Sequence, residues 1–168
     1  MNAVPDSSKP VAFDTGNIRH WLAYGFGTGL SPWAPGTVGT LLAVPIYLLL
    51  SVLPLSAYLL VLLVLAAVGI WACGATARDN GTDDPPSIVW DEVVGFLVAM
   101  TAAPAGWTWL ITAFVLFRLF DIFKPWPVNL ADGHVRGGLG IVLDDVIAGA
   151  MTWVVLQLLA MMVAASLR

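Results

Sequence analysis

Three long stretches without a single charged residue constrain this chain more than any other feature. Residues 20–77, 93–117 and 146–167 contain no Asp, Glu, Lys or Arg, and together they hold 105 of the 168 residues. Only 11% of the chain is charged, against roughly 25% in soluble domains. A water-soluble helix needs a polar face, which these stretches cannot supply. The sequence therefore predicts an all-α fold, a polytopic helical bundle in a membrane.

Charge and cysteine content exclude several classes of protein. The chain has seven basic and eleven acidic residues, which argues against a basic surface for nucleic acid. Its one cysteine, Cys73, lies within an apolar run, so the sequence has neither a disulfide framework nor a cysteine-rich metal site. Residues 1–20 lack the apolar core of a signal peptide. We expect them to form an N-terminal cytoplasmic tail on a single domain that comprises residues 1–168.

Prolines and glycines divide the uncharged stretches into candidate membrane spans. A break at Pro54 gives two spans, at residues 38–53 and 57–76, and the last stretch gives one span at residues 146–167. Residues 25–37 are too rich in Gly and Pro for a regular helix. At membrane depth such a loop must be buried in protein or line a polar cavity.

The middle stretch, residues 93–117, allows two arrangements. It is long enough for one crossing, or residues 104–106 can turn a helical hairpin. The hairpin, which gives about five spans, is favoured because it brings all acids and every base except Arg168 to one face. The positive-inside rule makes that face cytoplasmic, and His20 and the tryptophans are expected to be interface anchors. Each arm has about 11 uncharged residues, or roughly 16 Å of helix, so the flanking carboxylates are expected at the membrane surface, where charges are functional.

Two pairs of adjacent acids begin predicted helices at this face. Asp91 and Glu92 enter the hairpin, and Asp144 and Asp145 lie on the first turn of the last span. Acids at a helix N-terminus can simply complement the helix dipole. Adjacent carboxylates near hydrocarbon, however, repel one another and need a cation or a proton. Mg²⁺ would satisfy such a pair, since it prefers carboxylate oxygens, water and phosphate as ligands.

Basic residues accompany the acids. Arg118, Asp121 and Lys124 follow one another at i, i+3 and i+6, a spacing equally consistent with a surface salt-bridge ladder. Arg136 lies in a glycine-rich loop at residues 134–140, which either turns the chain or lets backbone N–H groups approach a phosphate. Carboxylates that hold Mg²⁺, beside bases that hold an anion, indicate metal-assisted phosphoryl chemistry.

Four segments closely resemble the motifs of the phosphatidylglycerophosphatase A family, in the family's order. They are residues 27–40 (GTGLSPWAPGTVGT), 89–95 (VWDEVVG), 117–127 (FRLFDIFKPWP) and 137–149 (GGLGIVLDDVIAG). Each motif is weak alone, but the set is specific. The resemblance implies a Mg²⁺-dependent, multi-pass lipid phosphatase of the bacterial inner membrane. Such an enzyme converts phosphatidylglycerophosphate to phosphatidylglycerol and phosphate in phospholipid biosynthesis.

With this resemblance, the candidate site residues receive expected roles. Five carboxylates are expected to bind one or two Mg²⁺ ions and to supply the base for the attacking water: Asp91, Glu92, Asp121, Asp144 and Asp145. Lys124, as a catalytic residue, and Arg118 are expected to hold the phosphate together with Arg136. Hydroxyls near the glycine-rich loop are expected to complete the substrate site: Thr28, Ser31, Thr37 and Thr40. A carboxylate nucleophile that forms an aspartyl-phosphate is an open alternative.

Two other functions fit parts of the pattern. Asp132, Arg136 and Asp144 are similar to the acid pattern of phosphatidyl-group transferases of phospholipid synthesis, but the spacing differs and a further acid after Asp145 is missing. An ion-coupled transporter would place acids near mid-span, and residues 38–76 contain none. The expected partners are therefore the phospholipid substrate and the membrane, without nucleic acid.

Overall fold

The computed structural model describes residues 13–128 and 135–166, and every regular element in these ranges is helical. The elements are, in chain order, α1 (Ile18–Ala23), a 3₁₀ helix (Gly25–Leu30), α2 (Pro35–Leu50), α3 (Leu55–Asn80), α4 (Trp90–Ala99), α5 (Trp107–Phe123) and α6 (Gly137–Ser166). The predicted all-α fold is confirmed for these residues. Residues 1–12 of the predicted tail and His134 of the predicted glycine-rich loop lie outside the described ranges.

The short helix α4 forms the centre of the bundle. Helices α2, α3, α5 and α6 all pack against it, and its side chains Val93, Val94 and Phe96 are fully buried. A helix that is apolar on nearly all sides is typical of a protein core or of a membrane span. The first turn of α4 carries Asp91 and Glu92. The packing therefore places two acids at one end of the bundle core.

Helices α4 and α6 cross closely at two glycines. A Cβ on Gly95 would lie 2.6 Å from the backbone oxygen of Asp145, and a Cβ on Gly149 would overlap the backbone oxygen of Gly95. Any larger residue at either position would push the helices apart. Asp91 and Asp145 each lie four residues before one of these glycines, about one helical turn. The close crossing therefore brings the two carboxylates together.

Helices α4 and α5 form the predicted hairpin rather than a single long helix. Residues 100–106 separate them, and Gly106 has a φ of 122°, which glycine adopts without strain. Near the end of α5, the Nη1 atom of Arg118 lies 3.7 Å from Oε1 of Glu92 at the start of α4. The charged groups at the outer ends of the two helices therefore lie at the same end of the bundle.

Two of the described helices, α3 and α6, are long and apolar enough to cross a membrane. Helix α2 is a shorter apolar helix of 16 residues, and α5 has 17 residues. Large apolar side chains face outward on all four helices, for example Leu49, Leu63, Ile111 and Met162. A soluble protein rarely exposes this much contiguous apolar surface. The outer surface of the bundle is therefore suited to contact with lipid.

The start of α6 differs from the prediction. The helix begins nine residues before the predicted span at residues 146–167. The expectation that Asp144 and Asp145 lie on the first turn of a helix is therefore wrong, because both lie in its third turn. The glycines before them do not interrupt the helix: a Cβ on Gly138 would overlap the carbonyl oxygen of Ile70 in α3. Gly138 therefore permits close packing of α6 on α3.

Helix α1 is held against the end of α3 by buried polar contacts. The side chain of His20 is almost fully buried. Its Nδ1 atom accepts a hydrogen bond from the backbone N–H of Asp14 (3.0 Å), and its Nε2 atom lies 3.2 Å from Oδ2 of Asp79. The prediction that His20 anchors the chain at a membrane interface is therefore wrong. Both ring nitrogens are engaged within the protein.

The segment after α1 continues this attachment toward α4. Asn80 Nδ2 donates a hydrogen bond of 2.6 Å to the Tyr24 hydroxyl, and burial raises the pKa of that hydroxyl above its ordinary value. The backbone N–H of Val89, one residue before α4, donates to the carbonyl of Ala23 (2.9 Å). The N-terminal elements thus hold the segment that leads into the acids of α4.

Candidate active site

Three carboxylates meet just above the crossing of α4 and α6. One oxygen from each of Asp91, Glu92 and Asp145 lies within 4.8 Å of the other two. Asp91 and Asp145 are 7% and 3% exposed, and their Oδ1 atoms have no hydrogen-bond partner among the described residues. Buried carboxylates at this spacing are costly without a cation. Since Mg²⁺ takes hard oxygen ligands of this kind, the donor set fits a divalent metal ion.

Arg118 of α5 lies beside this carboxylate cluster. Its Nη1 atom is 2.6 Å from Oδ2 of Asp121, 3.7 Å from Oε1 of Glu92 and 3.4 Å from the Thr40 hydroxyl on α2. The Arg118–Asp121 pair is one step of the predicted i, i+3 ladder. Both side chains are largely buried, so the pair borders the cluster rather than an open helix face. One guanidinium therefore connects α2, α4 and α5.

Lys124 ends α5 and reaches toward α6. Its Nζ atom lies 2.7 Å from Oδ2 of Asp144. The residue has a φ of 42°, a left-handed conformation that costs a non-glycine residue roughly 1–2 kcal/mol. Such strained residues persist where the surrounding structure holds them, often at functional sites. The ion pair fixes the ammonium group at the junction of the two helices.

The glycine-rich loop reaches the site where α2 begins. A Cβ on Gly36 would overlap Oε1 of Glu92 and would lie 3.0 Å from Nη2 of Arg118. A side chain at position 36 would therefore displace the Glu92 carboxylate and the Arg118 guanidinium from their described positions. Ala34, at the N-cap of α2, has a φ of 44°, so the chain turns sharply just before this contact.

A cavity of about 250 Å³ opens onto these side chains. All five carboxylates predicted to bind metal line it, together with two of the predicted bases: Asp91, Glu92, Asp121, Asp144, Asp145, Arg118 and Lys124. They come from three helices that are far apart in sequence. The structure thus brings acids for a cation and bases for an anion into one cavity.

The four predicted hydroxyls are placed differently. Thr28 donates to the carbonyl of Gly25 and Ser31 to that of Trp33, so both hydroxyls bond within their own loop. Thr40 is fully buried and contacts Arg118. Thr37 is half-buried at the start of α2. None of the four is among the residues that line the cavity.

Arg136 lies beside the cavity rather than in it. It lines a neighbouring cavity of about 250 Å³, together with Asp83, and the two cavities share Asp84 and Asp144. Among the charged residues and glycines that line the cavity, two are not among the predicted site residues, namely Asp84 and Gly36. The acid pair before Pro85 and the Pro35-Gly36 helix start are the patterns that mark them in the sequence.

Comparisons with known proteins identify relatives over most of the chain. The family model of Phosphatidylglycerophosphatase A matches residues 21–160. A protein of that name from Escherichia coli (strain K12) is 44% identical over 137 residues, which cover 81% of this chain and 80% of the relative. Its namesake from Haemophilus influenzae is 43% identical over 137 residues, covering 79% of this chain and 82% of the relative.

A third relative carries a different name. A "Putative phosphatidylinositol-3-phosphatase" from Bacteroides thetaiotaomicron is 41% identical over 145 residues, which cover 80% of this chain and 89% of the relative. No solved structure matches this chain.

Proposed function

The chain belongs to the phosphatidylglycerophosphatase A family, and we propose that it removes the terminal phosphate of phosphatidylglycerophosphate. The products of this phosphoric monoester hydrolase would be phosphatidylglycerol and inorganic phosphate, in a step of phospholipid biosynthesis. One observation carries the proposal: the carboxylates of Asp91, Glu92 and Asp145 meet within 4.8 Å, in a cavity that also holds Arg118 and Lys124. Phosphoryl transfer requires carboxylates that hold a metal ion and basic side chains that bind the phosphate, and this cavity contains both.

We propose Mg²⁺ as the cofactor. Asp91, Glu92 and Asp145 would hold it, with Asp121 and Asp144 in the same cavity. An all-oxygen donor set favours Mg²⁺ over metals that prefer thiolate or imidazole ligands. When bound, Mg²⁺ would offset negative charge on the phosphoryl oxygens in the transition state.

The basic side chains would bind the phosphate. Lys124 and Arg118 are each paired with an acid, Asp144 and Asp121 respectively. An incoming phosphate dianion supplies further acceptors for both cations, and charge-assisted hydrogen bonds of this kind are strong. A carboxylate of the cavity would take the proton from the attacking water. Water then forms the new P–O bond as the ester P–O bond to the glycerol breaks, and the departing glycerol oxygen takes up a proton from the protonated carboxylate or from solvent to become a hydroxyl.

We propose that the chain is a multi-pass protein of the bacterial inner membrane, with its site at the cytoplasmic face. Helices α2, α3 and α6 would each cross the bilayer, and the α4–α5 hairpin would supply two further spans. The whole chain, residues 1–168, would form one domain, with residues 1–20 in the cytoplasm. Support comes from the length of α3 and α6, the outward apolar side chains, and the location of the charged groups at one end of the hairpin.

Phosphate release by the purified protein tests this function. With phosphatidylglycerophosphate in mixed micelles, we expect release that stops when EDTA removes Mg²⁺ and returns when Mg²⁺ is restored. Asp145→Asn should be inactive. Asp83→Asn should remain active, because Asp83 is an exposed loop residue outside the carboxylate cluster.

A second substrate sharpens the test. Phosphatidylinositol 3-phosphate is the appropriate competitor, because one relative at 41% identity is named for its hydrolysis. We expect it to be hydrolysed more slowly than phosphatidylglycerophosphate. Absence of phosphate release from phosphatidylglycerophosphate would refute the proposed function, and faster release from the inositol lipid would reassign the substrate.

A further inference from the structure

The two most exposed tryptophans of the chain lie beside the candidate active site. Trp33 is 82% exposed and Trp126 is 74% exposed. Trp33 directly precedes Ala34, and Trp126 follows Lys124 by two residues. Ala34 and Lys124 both line the cavity with the carboxylates. Each tryptophan therefore lies within two residues of the cavity lining, one before α2 and one after α5.

Prolines lie close to both tryptophans in the sequence. Pro32 and Pro35 flank Trp33, and Pro125 and Pro127 enclose Trp126. Since proline fixes its own φ angle and restricts the preceding residue, the backbone of both segments has few accessible conformations. Within the described residues, neither indole N–H has a hydrogen-bond acceptor. Trp90 and Trp153, by contrast, donate to backbone carbonyls.

Apolar side chains continue from each indole. Phe26 and Leu30 are exposed near Trp33, and Ile122 and Phe123 are exposed near Trp126. Along the chain, Trp33 directly precedes α2 and Trp126 directly follows α5, and both helices carry exposed apolar residues along their length: Leu41, Leu48, Leu49, Ile111, Val115 and Leu119. A surface of this kind would be poorly tolerated in water.

We propose that Trp33 and Trp126 form a membrane-contact rim that seats the mouth of the cavity in the interface of the phospholipid leaflet holding the substrate. The proposal rests on the proposed function as a lipid phosphatase. Tryptophan suits this position, because its ring is apolar and its N–H can donate to lipid ester carbonyls. Lys124, next to the rim, adds a cation that attracts anionic headgroups.

The occupant is lipid because each tryptophan lies within two residues of the cavity lining and next to a helix with exposed apolar side chains. A lipid whose acyl chains lie along α2 and α5 would present its headgroup between the two indoles. Its phosphate would then meet Lys124 and the carboxylates without leaving the leaflet. The rim would therefore affect how substrates in a bilayer reach the cavity, and it would not affect the chemical step.

Replacing both indoles separates these two effects. We compare Trp33→Ala/Trp126→Ala with wild type on long-chain phosphatidylglycerophosphate in liposomes and on a short-chain, water-soluble analogue. We expect kcat/KM to fall by about tenfold or more in liposomes, equivalent to about 1.4 kcal/mol, with turnover of the soluble analogue unchanged. Trp107→Ala is the matched control. Trp107 is 67% exposed but begins α5, about 24 Å from its other end, and we expect no change on either substrate.

Two activity results would overturn the proposal of a membrane-contact rim. Equal losses on both substrates would mean that the indoles serve folding or chemistry, and unchanged turnover in liposomes would mean that they do not contact the substrate's leaflet. If wild-type protein hydrolyses neither substrate, the proposed function fails, and the rim is then decided by a measurement that needs no activity.

That measurement is quenching of tryptophan fluorescence by lipids brominated near the headgroup end of the acyl chains. Phenylalanine keeps an aromatic ring, so Trp33→Phe/Trp126→Phe is the variant with the smaller structural change. We expect reconstituted wild-type protein to lose a larger share of its fluorescence than this variant. Equal fractional quenching of the two proteins would overturn the proposal.

Discussion

Lys124 and Asp144 form an ion pair of 2.7 Å that joins the end of α5 to the third turn of α6. The neighbouring acid on α5, Asp121, is bound by Arg118. The two bases therefore form ion pairs with acids on two different helices, and both pairs line the same cavity. Loss of either base leaves a buried or half-buried carboxylate with one cation fewer.

Removal of the Lys124 ammonium tests its proposed role in phosphate binding. Lys124→Met keeps much of the stem and removes the charge. We expect kcat/KM for phosphate release at saturating Mg²⁺ to fall by on the order of 10²–10³, as for other lost charge-stabilising donors. Lys124→Arg should recover only part of this loss, because a planar fork does not replace a compact charge. If kcat/KM of Lys124→Met stays within about twofold of the wild-type value, we would assign phosphate binding to Arg118 instead.

Removal of one acid from the carboxylate cluster tests the metal site independently of catalysis. Asp145→Asn should abolish turnover but leave Tm in EDTA unchanged or higher, because a repulsive like charge is gone. Wild-type protein should gain stability with Mg²⁺ by mass action, about 2.7 kcal/mol at a hundred times Kd, and the variant should not. Asp83→Asn is the control and should retain both activity and the Mg²⁺ response. Undiminished stabilisation of Asp145→Asn by Mg²⁺ would exclude Asp145 as a ligand.

A methyl group at position 36 tests the close approach of α2 to the cluster. The Cβ of Gly36→Ala would overlap Oε1 of Glu92. We expect little change in stability, because the ends of flexible side chains can shift, but a loss of most of the activity, because the Glu92 carboxylate and the Arg118 guanidinium must leave their described positions. Gly16→Ala makes the same chemical change at an exposed position and should be neutral. Chemical denaturation and phosphate release measure the two effects, and a fully active Gly36→Ala would contradict the described contact.

Cysteine labelling tests the proposed membrane arrangement. In a Cys73→Ala background, a cysteine replacing Gly106 in the hairpin turn should react with an impermeant maleimide only from the periplasm. Cysteines replacing Asp83 or Arg136 should react only from the cytoplasm. Labelling of positions 83 and 136 from opposite sides would contradict a site at a single face, since both residues lie at neighbouring cavities that share Asp144.

Much of the site could be predicted because charges are rare in this chain. In a chain of mostly apolar residues, an acid next to an apolar stretch indicates a functional site. Three of these acids, Asp91, Glu92 and Asp145, do meet in one cavity. The hairpin was predictable on the same ground, since it returns Arg118 to the end that holds Glu92.

What could not be predicted depends on glycine and on contacts between distant segments. Glycine lacks a side chain, so Gly36 shows no chemistry in the sequence, although its missing Cβ lets α2 reach Glu92, 56 residues later. The glycines after position 136 suit a loop as well as a closely packed helix, and only the contact of Gly138 with Ile70 decides between them. The contact of His20 with Asp79 joins residues 59 positions apart, so the sequence alone does not show that the His20 ring is engaged within the protein.

The helices around α4 have two different lengths, which matters if the bundle lies in a bilayer. α2 and α5, which meet through Thr40 and Arg118, have 16 and 17 residues, or about 24–26 Å. α3 and α6, which pack against each other, have 26 and 30 residues, or about 39–45 Å. In the proposed arrangement a hydrocarbon core of about 30 Å would have to thin beside the short pair. This hydrophobic mismatch would draw headgroups down toward the carboxylates, so the elasticity of the membrane itself would help to deliver the phosphate.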